Sequence, residues 1–600
     1  MSGFKKIEEQ EKVLSVFDKN AIISASAGSG KTSILIRKIS DYVENHNIDI
    51  SNILALTYTN AAAEEMKVRL SKSLIEAVEK LDSNSEKIEK LAQQIDKLST
   101  ADISTFHSFY ERMIKKYFYV LGINPSFEIL KNEDALNLKN KAFDEAIDEL
   151  KIRNFDSYLK ITDILGKKRK DDAIKERIFK IDEFLSSQLD KEKWIEETSL
   201  YMLNNPEKTY SILKEDIEQS VNFALNSFTQ LLNSINEDKI IAYVNQCCSL
   251  LSELKNLSFK ELYFKVNAFK FPTLNIKSEN TELLQKIKNL RSKFSDSIED
   301  YKNNFGEFES IEESFNSCLK NTKTLIDLYK NYTKILKTKK KELNKYEFSD
   351  MEDLCCLLLQ NDKIKEAIKS QYQLIFVDEF QDTNPIQYNI IKKISRGNNV
   401  FIVGDPKQSI YAFRQTDVDI FNSVYDEYSN SESVALPLKS NFRSNCKILN
   451  FVNNIFDVLM TKQLSGIDYK IDSRFNAMSE NSCENNPVTI SLLKSEKSEK
   501  EKKEIKNIYN IFEDIPQKEK LNLEAELITH QISKVLEEKI YDDKTKQQRE
   551  IEYKDITILM RNRSKLLKDL AENFEKYNIP YLVNDKVDLL LRKDVKLLIS

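Results

Sequence analysis

Six hundred residues are more than one hydrophobic core organises, so several domains are expected. Charged residues make up 31% of the chain, no run of about 18 apolar residues occurs, and the opening MSGFKKIEEQEKV has no apolar signal core, which argues against a membrane span or a secretory leader. A net charge of −5 rules out wholesale electrostatic capture of nucleic acid, so such binding would need a local groove.

Seven cysteines without a C-x-x-C pair read as reduced thiols of a cytoplasmic protein, not as a disulfide framework or a zinc site. The histidines, His46, His107 and His530, stand too far apart to suggest a metal centre.

In chain order, the first element is AIISAS (21–26), apolar on both pleat faces as a buried parallel strand would be. It runs into ASAGSGKT (25–32) and then the amphipathic KTSILIRKI, a strand–loop–helix context for phosphate binding. Glycine is scarce, nine residues against ~7% in a typical chain, yet Gly28 and Gly30 both fall in this loop. Backbone amides from Ala25, Ser26, Ala27, Gly28, Ser29 and Gly30 would cradle phosphates at a helix N-terminus, Lys31 would reach the terminal phosphates, and Thr32 would ligate Mg²⁺. Ala25 stands where the general pattern has its first glycine.

ILALTY (53–58) reads as the next strand. From about 118 to 345 the texture changes to Lys, Glu, Leu and Ile at helical spacing, a mostly helical insertion. Two strands follow. LIFVDE (374–379) ends in Asp378, suited to hold Mg²⁺, and Glu379, suited to polarise the attacking water. VFIVGD (400–405) leads through Gly404 to Gln408, a candidate γ-phosphate sensor, and to Tyr411 and Phe413, candidates for stacking on bases. The charge run KSEKSEKEKKEIK (494–506) alternates in sign and reads as a solvated segment. ITILM (556–560) is expected to be a further strand. Strand–helix alternation implies an α/β fold with ligands at the carboxyl ends of parallel strands.

These stretches together resemble the superfamily 1A DNA helicases of the UvrD, RecB and AddA kind. The resemblance rests on ASAGSGKT, LTYTNAAAEEM (56–66), ISTFHSF (103–109), VDEFQDT (377–383), GDPKQSIYAFR (404–414) and LKSNFRS (438–444), with details leaning to the AddA group of helicase–nucleases. It implies RecA-like P-loop motor domains: a first domain in two parts (1–117 and 346–435), an insertion (118–345) and the front of a second motor domain (436–600). By position it implies that Gln10 reads adenine, Phe442 stacks on it, and Arg443 reaches the γ-phosphate as an arginine finger. Tyr58, with Thr59 and Asn60, would hold single-stranded DNA, and Thr105 and His107 would contact its phosphates. Two departures are Ser33, where related enzymes often carry an arginine, and Gln415 in place of a glycine. Two later motifs of the second motor domain are missing. The 600 residues are therefore expected to be the front of a longer chain, nearly silent as an ATPase alone.

The function expected is an ATP- and Mg²⁺-dependent helicase moving 3′ to 5′ on single-stranded DNA and unwinding duplex, with an AddB-type partner, in double-strand-break processing. Alternatives are a UvrD/Rep-like repair helicase without nuclease, and a DNA-binding scaffold that no longer hydrolyses ATP.

Overall fold

The computed structural model describes residues 8–81, 85–165, 170–201, 205–233, 235–276, 280–305, 308–411, 416–478, 488–492, 523–542, 545, 547–560 and 564–583. Phe413, Gln415, the charge run and the last seventeen residues of the chain lie outside the described residues.

Successive residues of the apolar runs alternate between two cores. Ile22, Leu54, Leu56, Ile375, Val377 and Ile402 face one, and Ala21, Ile23, Ala55, Phe376, Phe401 and Val403 face the other. A strand buried on both faces must sit in a sheet covered by helices on both sides, which is why its sequence shows no polar alternation. The strands are β1 (Ala21–Ala25), β2 (Ile53–Thr57), β3 (Asp102–Thr105), β4 (Glu128–Ile129), β5 (Lys345–Tyr346), β6 (Leu374–Val377), β7 (Val400–Gly404) and β8 (Val434–Leu438). Six of them form one sheet in the order β3-β2-β6-β7-β1-β8. Every pairing in it is parallel, with Ala21 opposite Phe401 and Val434, Ile53 opposite Leu374, and Ile375 opposite Val400.

The sequence runs foresaw β1, β2, β6 and β7 but not β3 or β8. Short and half-polar, β3 is an edge strand, and β8 contains Pro437, which only an edge tolerates. The helices that flank the motifs are α1 (Glu8–Leu14), α2 (Lys31–Asn45), α3 (Asn60–Glu79), α4 (Ser85–Lys97) and α5 (Phe106–Lys116).

Between β4 and β5 the described chain is helical and builds two cores of its own. Helices Asn132–Arg153 and Phe308–Leu343 share one around Phe143, Ile147, Tyr332 and Leu336. Helices Pro206–Leu232, Asp238–Ser252 and Thr281–Phe305 share the other around Phe228, Val244 and Ile287. The two short strands β4 and β5 pair side by side, so this segment leaves and returns at one point. Lys340, 4% exposed, locks the return: its Nζ meets Glu347 and Asp350, each at 2.7 Å.

Contacts divide the chain into two units, 1–441 with 460–474, and 442–459 with 475–600. In the second, helices Leu523–Val535 and Ser564–Lys576 pack around Ala525, Ile532, Leu570 and Phe574. Residues 556–560 are not a strand, a correction to the expectation: no neighbouring strand pairs with them among the described residues, although Ile556, Ile558 and Met560 still turn one face to that core. Cys446 is disulfide-bonded, so the expectation of reduced thiols throughout fails for it. Bridging depends on Cα separation in space, which spacing in sequence does not reveal. No described helix is long and apolar enough to cross a membrane.

Candidate functional site

The sheet order brings the carboxyl ends of β1, β7 and β6 side by side, and their three loops meet. The β1–α2 loop turns through Gly28 (φ 71°) and Gly30 (φ 88°), both in the left-handed region that glycine occupies without cost. Helix α2 begins at once after Gly30, with no side-chain cap and no acidic residue in its first turn. Its first amides therefore have no partner within the helix and face an anion with a favourable dipole. The Ser29 hydroxyl is buried in this loop without a hydrogen-bond partner, the kind of orphan a phosphate oxygen would satisfy. Gln10, 8% exposed on α1, donates to the Ser29 carbonyl at 3.4 Å, which brings the helix preceding β1 against the loop.

At the end of β6, Lys31 Nζ lies 2.8 Å from Glu379 Oε2, and Gln381 Nε2 donates to that same oxygen at 2.8 Å. Glu379 holds φ 50°, uncommon for a residue with a side chain, and this conformation turns the chain sharply after the strand. Asp378 is 5% exposed; burial, then the neighbouring Glu379 carboxylate, pushes its carboxyl up to about 6. That carboxyl, with the Thr32 hydroxyl in the first turn of α2, is a hard-oxygen donor set of the kind that suits Mg²⁺. From β7, Asp405 Oδ2 accepts from the Ala27 amide at 3.1 Å and from Gln408 Nε2 at 2.7 Å, while Asp405 N donates to Gln381 Oε1 at 2.8 Å. Lys407 Nζ sits 2.7 Å from Asp405 Oδ1 and 3.3 Å from the Ser26 hydroxyl.

The other end of the sheet's carboxyl edge, β2 and β3, opens onto a cavity of about 320 Å³. Tyr58, Thr59, His107 and Tyr411 line it, together with Glu183 and Ser187 from the helical segment. The Tyr58 hydroxyl lies 2.9 Å from Thr383 Oγ1 and 3.2 Å from Gln387 Oε1, so its polar end is tied down and its ring borders the cavity. Burial lowers the pKa of His107, whose ring packs edge-on against Phe348 at 4.7 Å.

Thus Gln10, Lys31, Asp378, Glu379 and Gln408 gather around one loop, and Tyr58, Thr59, His107 and Tyr411 around one cavity. Thr105 and Thr59 act locally as helix caps, accepting from the Ser108 and Ala62 amides, and Asn60 is exposed at the start of α3. Phe442 and Arg443 open the second unit, where Phe442 is half-buried and Arg443 exposed. Sequence reasoning missed the polar hubs. Asp405 and Gln381 were visible inside GDPKQS and DEFQD, but their bonds to other loops depend on strand order. Glu352, in no motif, carried no signal.

A sequence model of the UvrD/REP helicase N-terminal domain matches residues 7–429. Curated relatives, each named as the AddA polypeptide of an ATP-dependent helicase/nuclease, include that of Alkaliphilus oremlandii (28% identical; 96% of this chain and 48% of that protein). That of Ligilactobacillus salivarius is also 28% identical, over 100% of this chain and 50% of that protein. The Staphylococcus haemolyticus protein of the same name is 27% identical over 97% of this chain and 48% of its own length. The chain spans about half the length of the curated relatives it matches.

Proposed function

The chain belongs to the UvrD/REP helicase N-terminal domain family, and we propose that it is the ATP-driven motor part of a DNA helicase of the AddA helicase/nuclease type. Supporting this reading above all is one placement: the segment after β6 touches the phosphate loop at Glu379 and the aromatic cavity at Thr383 and Gln387. Fuel and track would then share one piece of backbone.

In the proposed cycle, the amides of 26–30 and the first turn of α2 bind the phosphates. Lys31 leaves Glu379 for the γ-phosphate, which frees the Glu379 carboxylate to orient and deprotonate water. Thr32 and Asp378 would hold Mg²⁺, which when bound offsets phosphate charge. Gln408 senses the terminal phosphate, Gln10 reads the adenine edge, and Phe442 and Arg443 act as stacking ring and arginine finger. Tyr58 and Tyr411 grip bases, with Phe413, Asn60 and Thr105 in supporting contacts, and alternation of grip moves the strand 3′ to 5′. The biological setting inferred is cytoplasmic double-strand-break repair, on single-stranded and duplex DNA, beside a partner of AddB type. No described residue is assigned to nuclease chemistry.

The test is ATP hydrolysis by the natural polypeptide carrying this sequence, with and without single-stranded DNA. Strong stimulation by DNA is expected; hydrolysis indifferent to DNA would refute the motor reading.

A further inference from the structure

We propose that Glu352 is a positioning residue that couples occupation of the DNA cavity to the nucleotide site, through Gln387, Tyr58 and the segment 379–387. The proposal rests on the motor reading above and adds a residue that lies in none of its motifs.

Glu352 sits on helix Phe348–Leu358 and is 5% exposed. No cation lies within ion-pair distance of it among the described residues. Its carboxylate instead accepts from Gln387 Nε2 at 2.7 Å and from Asn384 Nδ2 at 3.0 Å. Burying a carboxyl against two neutral amides is costly, and a hydrophobic side chain would pack there more cheaply. What a carboxylate supplies and an apolar residue cannot is an acceptor on both oxygens.

That property fixes the orientation of both amides. With Nε2 held by Glu352, Gln387 must turn Oε1 the other way, to the Tyr58 hydroxyl at 3.2 Å and the Asn384 amide at 3.3 Å. With Nδ2 held, Asn384 must turn Oδ1 to the Gln387 amide at 2.8 Å, capping helix Pro385–Ile394. The same Tyr58 hydroxyl reaches Thr383, which follows a buried turn, Phe380–Asp382, that begins at Glu379. Within that turn Gln381 binds both Glu379 and Asp405. A base that shifts the Tyr58 ring therefore strains a chain of oriented hydrogen bonds ending at the Lys31–Glu379 contact. Glu352 anchors that chain at its far end and touches neither ligand.

The test measures the affinity of a fluorescent ATP analogue with Mg²⁺, in the absence and presence of saturating oligothymidylate, for the unaltered chain, Glu352→Gln and Gln387→Leu. The unaltered chain should show an affinity ratio of about fivefold or more, the lower range of ordinary coupling. Glu352→Gln sets an amide donor against two amide donors, and its ratio should fall below about twofold while its nucleotide affinity without DNA stays put. Gln387→Leu, which cuts the same chain one link on, should lose the ratio too. A Glu352→Gln variant that keeps the full ratio overturns the proposal, as does an unaltered chain that binds both ligands without mutual effect. An unaltered chain that binds neither ligand overturns the motor reading itself.

Discussion

At the scale of single residues, Asp378 is under the most tension. Its carboxyl is raised from 3.8 to about 6 by burial and by Glu379. Between those values the folded chain holds a proton that the unfolded chain has lost, so Asp378 makes the fold less stable as pH rises from about 4 to 6. At ~1.36 kcal/mol per unit this is roughly 3 kcal/mol. Asp378→Asn should therefore raise the melting temperature at pH 7.5 and leave it unchanged near pH 4, while abolishing Mg²⁺-dependent hydrolysis; equal gains at both pH values would contradict the assignment. Lys31 was legible from the sequence because phosphate loops are local: strand, turn and helix are contiguous. The bonds from Asp405 to Ala27 and from Gln381 to Asp405 were not legible, because they join residues hundreds of positions apart along the chain or set by strand order.

Among elements, the carboxyl end of β7 is the most tightly built. A Cβ on Gly404 would meet Gln381 Oε1 at 2.7 Å and the Phe421 ring at 2.9 Å. Gly404→Ala should cost about 1–3 kcal/mol in denaturant unfolding, as overpacked sites do, and should weaken nucleotide binding by displacing Gln381. Wild-type stability in that variant would show that the neighbours yield freely. At the base of the helical segment, Lys340→Met leaves Glu347 and Asp350 buried with a partner removed, and should destabilise by ~3–5 kcal/mol. The four inner strands announced themselves as apolar runs because both faces are covered. The edge strands did not, since β3 is half-polar and β8 carries Pro437. The run 556–560 shows the converse: an apolar pattern becomes a strand only where another strand lies alongside.

For the whole molecule, the net charge of −5 means that affinity for DNA must come from the cavity and not from a basic surface. The lining is aromatic and hydroxylic, includes Glu183 and Asp382, and has a His107 kept neutral by burial. Each phosphate neutralised on a single strand contributes a slope of about −0.7 in log affinity against log salt, so the slope should be no steeper than about −3. A much steeper slope would place binding on a basic surface. The most direct test of the central claim, that ATP chemistry at Lys31 answers to DNA in the cavity, is steady-state ATP hydrolysis by the natural polypeptide carrying this sequence, with and without single-stranded DNA, beside Lys31→Ala. The account predicts strong stimulation in the natural protein and its disappearance in the variant, with DNA binding retained. Hydrolysis that survives Lys31→Ala, or that ignores DNA, would contradict it.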